Sequence, residues 1–226
     1  FKGLNITEEN LRDNNRDRLI LSKGHASAAI YTTLALRGFL DIKKLDMYYC
    51  NDGELPGHID MTTSEALDLS TGSLGHGLPV GAGMALAMKI NKIDSRIVVI
   101  MGDGEINEGS VWEAAMFIIR ENLKNMLIFI DCNGLQGYDR TEEILTYERN
   151  KEMWRALGFT ILEIDGNNFE EIEKAYKCKN YKPVVVLAKT IKGKGVSFME
   201  DKLEWHYKSP NLEELEKGLK ELEENE

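Results

Sequence analysis

The stretch MGDGEINEG, Met101 to Gly109, follows the apolar run RIVVI and leads into SVWEAAMFIIRENL, whose apolar residues recur at helical spacing. A strand that ends in an aspartate held between two glycines and passes into a helix belongs to a βαβ unit. Similar short runs rich in Ile and Val recur along the chain as RIVVIM (96–101), MLIFID (126–131), TILEID (160–165) and PVVVLAK (183–189). None alternates strictly between apolar and polar residues, as expected where helices cover both faces of a sheet. Helical patterns span Ser27 to Arg37, Leu78 to Lys89, Ser110 to Asn122, Asn150 to Leu157 and Glu170 to Lys177, and the last three each lie between two of those strands. This alternation predicts an α/β fold, a doubly wound parallel sheet. On the helix after MGDGEINEG, Trp112, Met116, Phe117 and Ile119 are expected in the core.

Composition narrows the function classes. The chain has 226 residues, 42% of them hydrophobic, enough for one sizeable core. The expected organisation is one domain over residues 1–210, followed by an acidic helix, 211–226, with leucines at 212, 215, 219 and 222. That stripe reads as the docking side of a solvated surface helix. A net charge of −10 opposes non-specific attraction to nucleic acid or an anionic membrane, so neither is expected as a partner. Cys50, Cys132 and Cys178 are odd in number and form no CxxC pair, which fits reduced thiols and a cytoplasmic location. No apolar run reaches the ~18 residues of a membrane span, and no leader pattern opens the chain. It starts at Phe1, inside a polar stretch, which suggests that upstream residues are missing.

In an open parallel sheet, ligands bind beyond the carboxyl ends of the strands, and GDGEINEG lies at such an end. Glycines allow close approach of backbone to ligand, and the free N–H groups of a helix start favour anionic oxygens. An aspartate there would repel a bare phosphate. The conflict disappears if a hard divalent cation stands between them, since Mg²⁺ takes one or two protein oxygens and completes its shell with phosphate and water. Asp103 then becomes a metal ligand. The following strand ends in DCNGLQ, and 28 residues separate GDG from Asn133, room for a crossover helix and a returning strand. Asn133 can thus reach the same ion from the neighbouring strand end.

GDG, a spacer of this length and Asn form the diphosphate motif of thiamine diphosphate enzymes. With LSKGHAS (21–27), PGHIDM (56–61), STGSLGHG (70–77), GDGEINEGSVWEA (102–114), DCNGLQ (131–136) and KTIKGKGVSFMED…WH (189–206), in this order, the chain resembles the transketolase family from about Arg16 to His206. The resemblance implies thiamine diphosphate as cofactor with Mg²⁺, or Ca²⁺ or Mn²⁺ in its place. It makes Asp103, Asn133 and the carbonyl of Leu135 the cation ligands. Gly102 and Gly104 bring backbone to the diphosphate, Lys23 and Lys192 lie near it, and Gly72 and Leu74 face the aminopyrimidine and thiazolium region. His25 falls near the reactive cofactor carbon, where an imidazole can donate to a developing alkoxide or shuttle a proton. His58 and His206 match two further active-site histidines. Glu108 is either a helix cap or a carboxylate reaching the subunit interface near the cofactor. His76 stands where the family usually has Gln, which leaves its role open.

Two parts of the family pattern are not found. One is the pyrimidine-binding domain, with the glutamate that activates the cofactor's aminopyrimidine, together with the C-terminal domain. The other is an earlier glycine- and histidine-bearing segment expected before SKGHA. The expectation is therefore the N-terminal subunit of a split transketolase, or a truncated piece of one, that, with a pyrimidine-domain partner in a hetero-oligomer such as a dimer of heterodimers, moves a two-carbon ketol unit from a ketose to an aldose among sugars or sugar phosphates. The alternatives are a thiamine enzyme of the deoxyxylulose phosphate synthase type and a non-catalytic cofactor-binding or regulatory subunit. The SKGHA and KGKGVSFMED matches favour transketolase over the former. Asp103, Asn133 and His25 together argue against the latter.

Overall fold

The computed structural model describes residues 3–178 and 181–224. Five strands, β1 (Arg18–Leu21), β2 (Ile97–Gly102), β3 (Met126–Cys132), β4 (Thr160–Asp165) and β5 (Val184–Lys189), form one parallel sheet in the order β1-β2-β3-β5-β4. The chain runs from β3 to β4 at the outer edge and returns to fill the position between them with β5. The four Ile/Val-rich runs are the strands expected of them, and β1 is additional. Its four residues, RLIL, are too short a run to separate by pattern from the SKGHA motif that follows.

Helices α1 (Ser27–Leu36), α2 (Gly77–Ile90), α3 (Gly109–Arg120), α4 (Tyr147–Leu157) and α5 (Phe169–Lys177) cover the two faces. Alternate residues of the buried strands feed separate cores. Ile97, Val99 and Met101 of β2 pack with Ile128, Ile130, Val185 and Leu187 under α2, α3 and Trp154 of α4. Val98, Leu127, Val184 and Val186 face Ile30 and Leu34 of α1 and Ala175 of α5. Trp154 is fully buried, edge-on to Phe159 at 5.1 Å. The edge strand β4 is only partly covered and alternates accordingly, with Glu163 and Asp165 facing out.

Helix α3 departs from expectation. Its buried residues are Val111, Ala114, Ala115 and Ile118, while Trp112 and Ile119 pack only partly against the core. Met116 is 55% and Phe117 36% exposed. The small alanines let α3 lie close to the sheet and α2, and this turns the two larger side chains outward.

Local sequence sets the helix ends. Thr146 accepts the Arg149 N–H at the start of α4, and Gly158 ends that helix with φ 105°. Asn168 accepts from Glu170 and Glu171 at the start of α5. By contrast α1, α2 and α3 begin on Ala26, His76 and Glu108, none of which caps its helix with a side-chain hydrogen bond. These three begin near the carboxyl ends of β1 and β2, where the motifs lie. The acidic helix α6 (Leu212–Glu224) rests on the 193–198 loop through buried Gly218, which faces Val196 and Phe198, and through Glu221, which accepts from the Ser197 N–H and hydroxyl at 2.6 and 2.8 Å. Its leucine stripe stays largely exposed, with Leu212 at 80%.

Candidate active site

The parallel register brings the motif-bearing residues to one edge. Lys23 and His25 follow β1, Asp103 follows β2, Asn133 follows β3 and Lys192 follows β5. Gly102 pairs in register with Asp131, so the ends of β2 and β3 stand side by side. Tight packing explains one glycine each of LSKGHAS and STGSLGHG. A Cβ on Gly24 would lie 2.5 Å from the Thr71 carbonyl oxygen, and one on Gly77 would lie 2.3 Å from Ser22 Oγ.

Asp103 is buried, and its carboxylate is fixed on both oxygens. Oδ1 accepts the Gly104 N–H at 2.9 Å, and Oδ2 accepts the Gly134 N–H at 2.9 Å and the Thr141 hydroxyl at 2.8 Å. Burial, with a smaller contribution from Asp131, raises its pKa despite those hydrogen bonds. Among the described residues no Lys, Arg or His forms an ion pair with it. Asn133 Oδ1 accepts the Leu135 N–H at 2.9 Å, and the turn from Gly134 to Thr141 closes through Gln136 N–H to Asp139 O and Thr141 N–H to Gly134 O. Gly134, at φ 76°, lets the chain turn there, with open space where a Cβ would stand.

A divalent cation fits this arrangement. It would compensate a buried carboxylate that has no basic partner among the described residues, and Asn133 and the Leu135 carbonyl, just past the neighbouring strand end, supply further hard oxygen donors. Among the described residues there is no group of three or more His, Cys, Asp or Glu that could hold a metal by itself. One detail differs from expectation: the Gly104 N–H is engaged by Asp103, so a phosphate oxygen would have to compete for it.

Two lysines and three histidines converge near that carboxylate. Desolvation is the largest cause lowering the His25 pKa to about 4, followed by the charges of Lys23, His206, Lys192 and His58, although part of the ring is solvent-exposed. Burial and Lys23 lower Lys192, and burial, Lys192 and Lys23 lower His206. The two lysines, Lys23 and Lys192, are among the charges that lower these rings, and their charge favours an anion at this edge. The His25 and His206 rings lie 5.4 Å apart. His58 packs against Gly72, with its Cδ2 3.4 Å from where a Cβ would be, and His76 Nδ1 lies 3.0 Å from the Leu74 carbonyl oxygen. Glu108 is exposed and makes no cap, so of its two readings the helix cap is not seen.

Sequence reasoning missed several residues of the site. Asp131 pairs with Lys23 and accepts from the Thr190 hydroxyl. Burial pushes its carboxyl up, but Lys23, Thr190 and Asn133 outweigh that and hold it below its ordinary value. Thr141 and Glu105 are the others, joined to the motifs by contacts far apart in sequence. Gln136 lies over Gly104 with its Nε2 buried and without a partner. Burial and the carboxylates of Asp103 and Asp131 push the Cys132 thiol up, which disfavours its thiolate. Among the described residues no helix is long and apolar enough to cross a membrane.

Comparison with known proteins bears on family and fold. Residues 2–221 match the family described as transketolase, thiamine diphosphate binding domain. The chain is 37% identical to one of the subunits of the apulose-4-phosphate transketolase of Phocaeicola vulgatus, over 99% of this chain and 80% of that protein. It is 41% identical to the 6-deoxy-6-sulfo-D-fructose transketolase subunit SqwG of Clostridium sp., over 99% of this chain and 82% of that one. Among solved structures, transketolase from Campylobacter jejuni superposes with a TM-score of 0.91 at 30% identity, covering 98% of this chain and 36% of its own. The chain therefore spans about a third of that longer enzyme.

Proposed function

Because the chain belongs to the transketolase family, through its thiamine diphosphate-binding domain, we propose that it is the N-terminal subunit of a split transketolase. It binds the diphosphate of thiamine diphosphate through a divalent cation, Mg²⁺ in the first instance. With a pyrimidine-domain partner it transfers a two-carbon ketol unit from a ketose to an aldose. The observation that carries this reading is Asp103: a buried carboxylate without a basic partner among the described residues, at a strand end next to that of Asn133 and near a cluster of lysines and histidines. The names of the two subunit relatives support a partner chain. They also carry a phosphate and a sulfonate, which favours a sugar with an anionic group as substrate. The reading keeps the protein in the cytoplasm, where its three free cysteines stay reduced.

Asp103, Asn133 and the Leu135 carbonyl would hold the cation, while Lys23, Lys192 and the backbone around Gly102 and Gly104 would receive the diphosphate. Gly72 and Leu74 would line the thiazolium side. When bound, the cofactor supplies a thiazolium carbon that acts as nucleophile towards a ketose carbonyl. The chain's own part is to hold that carbonyl and manage its proton. Burial and the neighbouring charges lower the His25 pKa to about 4, so the neutral ring would donate a hydrogen bond to that oxygen as charge develops there, and would accept the hydroxyl's proton on its free nitrogen in the reverse direction. His58 and His206 flank it and orient the sugar hydroxyls. Glu108, exposed at the start of α3, is available to the partner chain.

The test is ketol transfer from a ketose phosphate to an aldose acceptor, measured for this chain, for a pyrimidine-domain chain encoded beside it, and for the mixture, with thiamine diphosphate and Mg²⁺ saturating. Activity only in the mixture supports the split enzyme. Turnover by this chain alone would overturn it, and cofactor binding without turnover in the mixture would make the chain a regulatory subunit.

A further inference from the structure

Glu105 is only 1% exposed, a buried carboxylate outside the set of residues that would touch cation or cofactor. Three separate segments donate to it. The Ser22 hydroxyl and the Gly75 N–H, the latter at 2.9 Å, both reach Oε1, and the Gly102 N–H reaches Oε2 at 3.3 Å. Ser22 Oγ in turn accepts the Gly77 N–H at 3.1 Å, which joins the start of α2 to the same centre. Each anchored residue adjoins one assigned to the site: Ser22 precedes Lys23, Gly75 follows Leu74 and Gly102 precedes Asp103.

We infer that Glu105 is the positioning residue that holds Lys23, Leu74 and Asp103 in one cradle for the cofactor, an inference that rests on the cofactor-binding role proposed for the chain. The segments bearing these residues come from β1, the loop before α2 and β2, and backbone hydrogen bonding within the sheet does not tie the Gly75 loop to either strand end. A carboxylate is the side chain suited to this place because it offers acceptors on both oxygens to donors that converge from three sides. An amide of the same length would still accept from Ser22 and Gly75 but would set its own N–H₂ against the Gly102 N–H. An alanine would leave all three donors without an acceptor in a buried space. The Gly75 turn has little freedom to adjust, since φ is 78° and a Cβ there would lie 2.5 Å from Ser110 Oγ.

The experiment compares wild type, E105Q and E105A, each as the full chain with and without its partner, by backbone amide exchange and by calorimetric titration with thiamine diphosphate in Mg²⁺. Loss of a residue that orients ligand-bearing groups typically weakens binding about 10- to 100-fold. E105A is expected to lie in that range, with faster exchange at Gly75 and Gly102. E105Q should loosen Gly102 alone, with an intermediate loss of affinity at an unchanged melting temperature. If E105A does not fold, E105Q decides the matter. Wild-type affinity in E105Q, or no change in Gly102 exchange, would overturn the positioning role while leaving the cofactor-binding role intact. Failure of the wild type itself to bind thiamine diphosphate would overturn both.

Discussion

Lys23, two residues past the end of β1, reaches over the end of β2 to form an ion pair with Asp131 at the end of β3. Its stem passes Gly102, the residue before Asp103, with its Cδ 3.8 Å from where a Cβ would stand. The nearest lysine is thus committed to one strand-end aspartate while Asp103, on the strand between, has no cation of its own. Two carboxylates on neighbouring strand ends are thereby given different work. Asp131 anchors a lysine, and in the function proposed for the chain Asp103 is the one that takes the cation and Lys23 turns to the diphosphate.

Asp131→Asn should destabilise the chain by about 1–3 kcal/mol, the range for loss of a hydrogen bond to a charged group that leaves its partner unsatisfied. Since the folded-state pKa of Asp131 is lowered, its contribution is present above the ordinary value of 3.8 and disappears as pH falls through the lowered one. Denaturant titrations at neutral and acid pH measure this. A Lys23→Met, Asp131→Asn cycle with additive effects would show that the pair does not couple.

Asp103 has the opposite sign. Its pKa is raised, so its charge penalises the fold above the raised value, and the penalty is absent below 3.8. A cation that binds there should relieve it. Mg²⁺ with thiamine diphosphate is therefore expected to raise the melting temperature of the wild type at neutral pH but not that of Asp103→Ala, with Asn133→Ala also impaired. Equal cofactor affinity with and without EDTA, in wild type and variants, would remove the cation from the site.

His25 should titrate near 4, as followed by its ring resonances in the cofactor-free chain. An unfolded chain protonates this ring at about its ordinary 6.5, so the contribution to stability is fully present above 6.5 and is lost as pH falls towards 4. His25→Ala should lower kcat by ~10²- to 10⁴-fold, the usual contribution of a proton-transfer group, with cofactor affinity little changed. An unaltered transfer rate would remove His25 from the chemistry.

What the sequence revealed of this fold follows from the range of the forces involved. β2, β3, β4 and β5 were legible because runs such as PVVVLAK reflect burial of the strand itself. The insertion of β5 between β3 and β4 was not, since parallel strands carry no local mark of their neighbours. That Asp103 and Asn133 stand at neighbouring strand ends could be read from a glycine pattern and a spacing. Asp131, Thr141 and Glu105 could not, because each acts through partners on other segments, 108 residues away for Asp131 and Lys23. A signal for Glu105 existed: an acidic residue directly after GDG, where an anion is expected, calls for a buried partner. Met116 and Phe117 had the spacing of core residues, but Ala114 and Ala115 make the close contact instead.

Two glycines of similar appearance should respond oppositely to alanine. Gly24→Ala would place Cβ 2.5 Å from the Thr71 carbonyl oxygen and 2.8 Å from Gly72 N, backbone atoms that a side-chain rotation cannot clear. The expected cost is about 1–3 kcal/mol, as for an overpacked interior, and cofactor affinity should fall too because Lys23 and His25 flank the shifted residue. Gly83, within α2, has open space where its Cβ would go. There alanine should stabilise the isolated chain by roughly 0.5–1 kcal/mol, the helix-interior difference between the two residues. Denaturation midpoints of both variants measure the contrast. A Gly24→Ala chain as stable as wild type, with unchanged cofactor affinity, would mean that the SKGHA turn and the Thr71–Gly72 backbone are not in the close contact on which this site is built.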